Sequence, residues 1–576
     1  MTPLPTPAEQ PRNRCAWEVL GLIVLTGWLT GVHLGHAALV DPDEPRVVIV
    51  MRLMAERGDW LSPHLPAVFA RDYPHDPMEG DLFAYWDKPP LGFWLGAAAM
   101  KMLGPTALAA RLPTGLSHVA AVLAVYFLGR LLWSGRAGFL AGAALATAPL
   151  PLVLAHAARM DTMLVAFIAI MFLAILRLAY GAGRPWAWTL VLGMAGGLGL
   201  LTKGLEAVAI PIAACGLVLV LARRLGQLRW THVAVASGLA LVIAAPWYAY
   251  MHLRYPPMAD GSSEGFLYEF LWRQHFGRAI TGEYGHRGGP PGTLLGVTVA
   301  GLLPWAVFLP AAIAGLARQG WRQRRERPAV LLLLAWTAVV VGVFSLTKTQ
   351  LSHYVAPAFP ALALLVGAYL ADRMAALTPD RWFRIGLAVT IVLGGVLVAG
   401  VTAYLIRKGL WSKNYLWAGA LMTGVVIAGL MSVAGNRREA AVGLLIGGLV
   451  IVETFFMASD PLRVYSEHTT RGEVGIILKA FKPGDEIIAY PYTPYSLAWY
   501  LWPRDVRYPA SAAAPQEPSY PALIAELNKP RRTFCVLQKR SVLDVVQKEA
   551  RWPIRVLSAM PEHTLFVTEP PEKSSP

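Results

Sequence analysis

Acidic residues are scarce in this chain, 36 Asp and Glu against 51 Lys and Arg, and charged residues of both signs make up only 15% of its 576 residues. So little charge cannot cover the surface of a soluble protein. Cysteine is rarer still: Cys15 precedes the first apolar run, Cys215 lies inside another and Cys535 is near the C-terminus. Neither a disulfide framework nor a thiolate metal site is expected from three isolated thiols. No alternating ten-residue pattern recurs, which argues against a β-barrel. No small-residue cleavage site follows the first apolar run, which is therefore read as retained. What the chain has in abundance is hydrophobic residues, 55% of the total. They fall in blocks of roughly 20, the length that crosses a ~30 Å hydrocarbon core. Backbone polar groups in lipid must pair within their own segment, so the predicted fold class is mostly α, a polytopic transmembrane helical bundle.

About thirteen such blocks lie between residues 17 and 457. The formal charge of +15 would point to nucleic acid in a soluble protein, but much of it lies in short connections. These are RRLGQLR (223–229), RQGWRQRRER (318–327), the segment with Arg373, Arg381 and Arg384, and NRR (436–438). By the positive-inside rule they are cytoplasmic, as is the N-terminus with Arg12 and Arg14, and no nucleic-acid partner is expected. The predicted organisation is a cytoplasmic tail (1–16), a membrane domain (17–457) with long outer loops at 36–111 and 252–292, and an outer α/β domain (458–576). In that last domain helical patterns (VGIILKAF, ALIAEL, VLDVVQKEA) alternate with strand-like runs (EIIAYPY, RTFCVLQ, HTLFVTE). The proline-rich ends, PLPTPAEQP and EPPEKSSP, read as disordered.

The few acids are unevenly placed, and DPDEPR (41–46) gathers three of them directly after the first span. Further along the same loop, VVIVMRLMAERGDW (47–60) and YWDKPPLGFWLGAAAMKMLG (85–104) read as helices lying in the interface plane. Later outer turns add HAARMDTML with Asp161, LLTKGLE with Lys203 and Glu206, and SLTKTQLSHY with Lys348, His353 and Tyr354. The 252–292 loop contributes EFLWRQHFGRAITGEYGHRGGPPG. A carboxylate turned toward lipid costs ~2.5–3.5 kcal/mol at a helix centre and less near the interface, so Asp161 is expected to face an aqueous cavity. Carboxylates, cations and aromatics on one face suit the transfer of a sugar from an anionic lipid phosphate to a hydroxyl or amine. The carboxylate takes the acceptor's proton, and Lys or Arg, with or without a metal, offsets charge on the departing phosphate.

Taken in order, PDEPR (42–46), ERGDWLSPHL (56–65), DKPPLGFWL (87–95), RMDTML (159–164), LLTKG (200–204) and LTKTQLSHYVAPAFPALALL (346–365) resemble the bacterial membrane glycosyltransferases of the GT-C class. Within that class the resemblance is to the aminoarabinose transferase of lipid A and its relatives in the protein O-mannosyltransferase superfamily, over about residues 15–370. It implies a GT-C bundle with periplasmic interfacial helices and a small C-terminal α/β domain, in the bacterial inner membrane. The N-terminus would be cytoplasmic and the C-terminal domain periplasmic. It also implies a polyprenyl-phosphate-linked sugar donor and an envelope acceptor, lipid A, another glycan or protein. On the matching positions Asp43 is the candidate base, Asp161 a second catalytic acid, and Lys88 and Tyr354 contacts to substrate or phosphate. Asp87 and His275 match candidate ligands of a divalent metal, zinc or magnesium, which would need water, substrate or another ligand besides. Glu44 and Arg46, beside Asp43, and Lys203 complete the candidate substrate-binding set. This chain departs from the aminoarabinose transferase pattern at Val47, where that pattern has an aromatic, at Asp87, where it has Glu, and in the additional stretch 71–85.

Other readings of the same residues stand beside these. DPDEPR alone reads as a helix-capping turn, and Asp41 is an alternative to Asp43 as the base. Lys88 also reads as a lysine snorkelling to headgroups, Lys203 as the anchor of a span, and Trp86, Phe93 and Trp94 as an aromatic belt. A lipid transporter would carry ionisable residues near the bilayer midplane, whereas here they cluster at the outer ends of the spans.

Overall fold

In lipid a segment satisfies its own peptide groups by coiling, and each of the apolar blocks does so in a computed structural model of the chain. The structure describes residues 12–570 except 33, 73–75, 182–183, 224–227, 259–262, 282–288, 323–327, 377–380, 408–412, 436, 459–468, 505, 507–518, 539–541 and 561–562. The proline-rich end at 3–11, most of the one at 569–576, and much of the arginine-rich connections at 223–229 and 318–327 lie outside the described residues, as does 436 of NRR.

The first half contains α1 (Arg12–Gly31), α2 (Asp43–Arg57), α3 (Leu91–Leu103), α4 (Ala107–Leu132), α5 (Gly135–Ala146), α6 (Pro149–Ala155), α7 (Asp161–Tyr180), α8 (Pro185–Lys203), α9 (Glu206–Ala222) and α10 (Trp230–Arg254). Among the described residues six helices have the length and hydropathy of a span, or up to eight if each bent pair counts as one. The sequence offers about thirteen blocks, and the difference has simple sources. α9 is only 17 residues long, the first block's helix does not pass the same test, and the helices Arg381–Arg407 and Lys413–Ala434 are described in part. Small residues and a few aromatics fill the bundle. Phe172 of α7 stacks on Trp336 at 3.9 Å between ring centroids, and the buried Trp305 indole donates to Thr147 Oγ1 at 2.9 Å.

Both helices expected in the first outer loop form, as α2 and α3. α2 is buried along most of its length because α3 covers one side and the C-terminal domain another. α3 keeps Leu95, Met102 and Leu103 exposed, the apolar face an interfacial helix presents. Between them strands β1 (His64–Pro66), β2 (Met78–Glu79) and β3 (Leu82–Ala84) make an antiparallel sheet of order β1-β3-β2, so the additional stretch 71–85 is partly strand.

The C-terminal sheet contains β4 (Glu486–Tyr490), β5 (Thr533–Leu537), β6 (Ile554–Ala559) and β7 (Thr564–Thr568) in the order β4-β5-β7-β6, with only the β4–β5 pair parallel. The six patterns read from the sequence coincide with three helices and with β4, β5 and β7. β6 and the short helix Tyr495–Leu501 were not among them. That helix docks the domain onto the first outer loop. Ser496 N–H donates to Asp41 Oδ1 at 2.8 Å and its hydroxyl bonds the other carboxylate oxygen. Leu39 N–H donates to the Tyr500 hydroxyl at 2.8 Å, and Tyr495 stacks on Phe69 at 4.1 Å.

Candidate active site

Helix ends build the site. Asp43 and Asp161 open α2 and α7, where the macrodipole favours a carboxylate, and Lys203 closes α8, where it favours a cation. The residue after Lys203 is Gly204, at φ +78°; a Cβ there would stand 2.8 Å from His275 Nε2 and 2.9 Å from Phe270. The glycine of LLTKG therefore lets the central loop close against the end of α8. Gly92 does the same for α3, since a Cβ would meet Met160 at 2.7 Å, inside the turn that carries Arg159 and Asp161.

These elements surround a cleft that opens to solvent, with about 760 Å³ of space between and above its walls. Eight of the nine predicted site residues line it: Asp43, Arg46, Asp87, Lys88, Asp161, Lys203, His275 and Tyr354. The exception is Glu44, predicted as a substrate contact. It is 5% exposed and holds Arg111 through Oε1 to Nε at 2.6 Å and Oε2 to Nη2 at 2.8 Å, while Ala158 N–H donates to Oε1 at 2.8 Å. Arg111 also donates to the carbonyls of Leu34, Ala37 and Ala38. Glu44 is thus a strut that ties the start of α2 to the turn before α7, and its oxygens are taken up inside the protein. Asp41, the alternative base, is occupied by Ser496.

The carboxylates differ in access. The Asp43 side chain is 42% exposed; Asp87 and Asp161 are 3% and 7%. Asp43 Oδ1 meets Arg46 at 2.8 Å and Oδ2 meets Arg159 at 3.2 Å. Burial raises its pKa, but Arg159 and Arg46 outweigh burial and hold it below the usual carboxylate value. Asp87 sits between Lys88 at 3.1 Å and Arg278 at 2.9 Å and accepts from the Tyr85 hydroxyl at 2.9 Å. Against the push of burial, those cations keep it ionised far below the ordinary range. Burial in turn lowers the Lys88 pKa, with Asp87 opposing. Asp161 binds Lys203 at 3.0 Å and Arg159 at 3.2 Å, and Lys203 also reaches Glu206 at 3.1 Å and lies over the Tyr354 ring at 5.3 Å.

Asp87 and His275 share the cleft but make a poor metal pair. Asp87 spends both oxygens on two cations and a hydroxyl, and His275 Nδ1 donates to the Phe270 carbonyl at 2.8 Å. Among the described residues no three His, Cys, Asp or Glu side chains gather as metal donors. The residues present do not fit zinc or magnesium without additional ligands, and no step below runs through one.

Three partners were missing from the predicted set. Arg159 stands in RMDTML and His353 in SHY, both quoted motifs, so the signal was present and only the pairing was hidden. Arg278 lies in the central loop with nothing local to distinguish it from Arg273. Arg159 Nη2 is 3.1 Å from His353 Nδ1, and its Nε and Nη1 reach Asp161 and Asp43.

Known proteins resemble the chain in sequence and in fold. Residues 87–250 match the family described as dolichyl-phosphate-mannose-protein mannosyltransferase. The chain is 29% identical over 490 residues to the undecaprenyl phosphate-alpha-4-amino-4-deoxy-L-arabinose arabinosyl transferase of Pectobacterium atrosepticum, covering 79% of this chain and 81% of that protein. It is 30% identical over 399 residues to the enzyme of the same name from Pseudomonas aeruginosa, covering 68% and 64%. The crystal structure of ArnT from Cupriavidus metallidurans bound to undecaprenyl phosphate superposes with a TM-score of 0.72 at 21% identity, over 97% of this chain and 98% of that one, and shows a shared fold. The chain is accordingly a multi-pass membrane glycosyltransferase, similar in sequence to bacterial aminoarabinose transferases and over residues 87–250 to protein mannosyltransferases, with the fold of the ArnT crystal structure.

Proposed function

We propose that the protein transfers a single sugar from an undecaprenyl or similar polyprenyl phosphate to an envelope acceptor such as lipid A, on the periplasmic side of the inner membrane. The observation that carries this reading is the division of the cleft: one half-exposed carboxylate, Asp43, shares it with a cluster of partly buried cations around Asp87 and Asp161. The acceptor hydroxyl attacks the anomeric carbon, the bond to the phosphate oxygen breaks, and polyprenyl phosphate leaves with the electron pair. Asp43 accepts the hydroxyl proton. Lys88 and Arg46 hold the phosphate, and Tyr354 borders it. At ~4 Å and an effective dielectric near 20, one cation contributes about 4 kcal/mol of gross attraction, but only the part that grows in the transition state accelerates transfer. A direct displacement with one base inverts the anomeric centre. In this reading the N-terminus is cytoplasmic and the C-terminal domain periplasmic, an orientation that the arginine-rich connections favour.

The match to the mannosyltransferase family supports a second acceptor class, protein hydroxyls. One experiment addresses both. Reconstituted protein is given labelled undecaprenyl-phosphate sugar together with lipid A or with periplasmic protein. Label in the lipid fraction, released undecaprenyl phosphate and inverted product are expected. Label in protein would favour the second reading, and no covalent product from either acceptor would overturn the first and second alike.

A further inference from the structure

Asp43 is held from two sides by two unlike arginines. Arg46 belongs to the same helix, one turn along, and meets Oδ1 at 2.8 Å, with the Tyr495 ring 5.9 Å from its guanidinium. Its charge also acts on Asp87, and it lines the same cleft as Lys88 and Arg278. Arg159 comes from the turn before α7 and divides its guanidinium among Asp43, Asp161 and His353. The strut of Glu44 and Ala158 fixes this second pair at both ends, because Glu44 adjoins Asp43 and Ala158 adjoins Arg159. One arginine is placed to be shared with an incoming anion; the other is fixed in register with the carboxylate.

We propose that Arg159 is the positioning residue for Asp43: when the donor's phosphate draws Arg46 away, Arg159 alone keeps the carboxylate aimed at the acceptor. The proposal rests on the glycosyl-transfer reading above and assigns Arg159 a part in that reaction. Before the donor binds, two guanidinium groups neutralise Asp43 and make it a weak base. A phosphodiester entering against Lys88 and Arg278 competes for Arg46, and the Oδ1 oxygen is released to take a proton. Asp161 tolerates the arrangement because Lys203 remains on its other oxygen at 3.0 Å. The charged groups facing Asp43 are Arg46 from α2, Arg159 from the turn before α7, His353 from the segment after Ala329–Leu346, and Asp87 from the connection into α3. Of these, Arg159 is the largest influence lowering the Asp43 pKa, so its loss moves the acidic limb of the rate profile to higher pH.

The test uses the full chain in nanodiscs, with undecaprenyl phosphate as the binding probe and labelled undecaprenyl-phosphate sugar for turnover. Arg159→Gln is expected to bind undecaprenyl phosphate within about threefold of the wild type while kcat falls by about 30-fold or more, with the acidic limb shifted upward. Arg159→Lys, which keeps the charge without the fork, is expected to regain about a tenth of the rate with a smaller shift. A kcat within about threefold of wild type in Arg159→Gln would overturn the proposal, as would an unmoved limb or a loss of undecaprenyl phosphate binding as large as the loss of rate. If Arg159→Gln does not fold, Arg159→Lys decides alone: an unchanged limb and unchanged kcat overturn it. A wild type that transfers nothing from the donor fails the functional reading instead, which keeps the two failures distinct.

Discussion

Asp43 and Asp161 begin as equals: each is an aspartate at the first turn of a helix, each lies within three residues of an arginine, and each shares Arg159. They end in different surroundings. Asp43 opens onto the cleft at 42% exposure, while Asp161 is 7% exposed between Lys203 and Arg159, with His353 Nε2 4.0 Å from it. A carboxylate that touches the acceptor must be reachable, whereas one enclosed by cations keeps those cations in place. On the proposed reading, Asp161 is therefore a keystone that fixes Arg159 and Lys203, and Asp43 is the acid that meets the substrate.

That contrast breaks most sharply on neutralising each acid in turn. Asp43→Asn is expected to lower transfer by about 10³-fold with the melting temperature nearly unchanged, because a half-exposed carboxylate is lost without leaving a buried charge. Asp161→Asn leaves Lys203 and Arg159 without their common partner, and is expected to cost about 3 kcal/mol of stability as well as activity. Asp161→Asn combined with Lys203→Met should recover most of that stability in a thermal melt and none of the transfer. If instead Asp43→Asn unfolds the protein and Asp161→Asn leaves it stable, the roles are reversed.

Titration gives a smaller effect of the same kind. The folded pKa values of Asp43 and Asp87 are both lowered, so their contribution to stability is complete above the unfolded value of about 3.9 and is lost as pH falls through the folded values. The fully buried Asp87 keeps its contribution to lower pH than Asp43 does. The midpoint of acid unfolding, followed from pH 6 downward, should lie at higher pH in Arg278→Gln than in the wild type, because stripping one of the two cations from Asp87 shrinks its contribution.

Much of this was legible in the sequence because membrane chemistry is restrictive. Block length and backbone satisfaction account for the helices, and the ordered motifs at the outer ends of the spans, through their resemblance to a known family, point to eight residues that share one cleft. Glu44 was misread because its partner, Arg111, is 67 positions away and looks like an isolated arginine at the edge of an apolar block. Sequence proximity to Asp43 carried no information about which way Glu44 turns. Arg278 and Arg159 were overlooked for the same reason, because only tertiary approach distinguishes an arginine that meets a carboxylate from one that faces water. The strand β6 begins just after RWP and its burial is only partial, so its pattern is weak, and the helix Tyr495–Leu501 is too short to show a period.

The smallest effect separates the two acids by their neighbours in the C-terminal domain. Asp41 accepts from the Ser496 N–H and hydroxyl, and the adjoining Tyr495 lies beside Arg46 and against Phe69. The domain thus bears on the Asp43 side of the cleft through α2, while Asp161 lies on α7. Removing the Asp41 carboxylate in Asp41→Ala leaves the N–H of the buried Ser496 without its acceptor, a cost of about 1 kcal/mol. Arg46 then loses some of its fixed position, and the donor KM is expected to rise by about two- to threefold with kcat little changed, since the phosphate contact is loosened more than the base. Kinetics on Asp41→Ala beside Ser496→Ala check this. A fall in kcat without a change in KM would mean that the domain acts on Asp43 itself, and the distinction between a freely exchanged Arg46 and a fixed Arg159 would have to be redrawn.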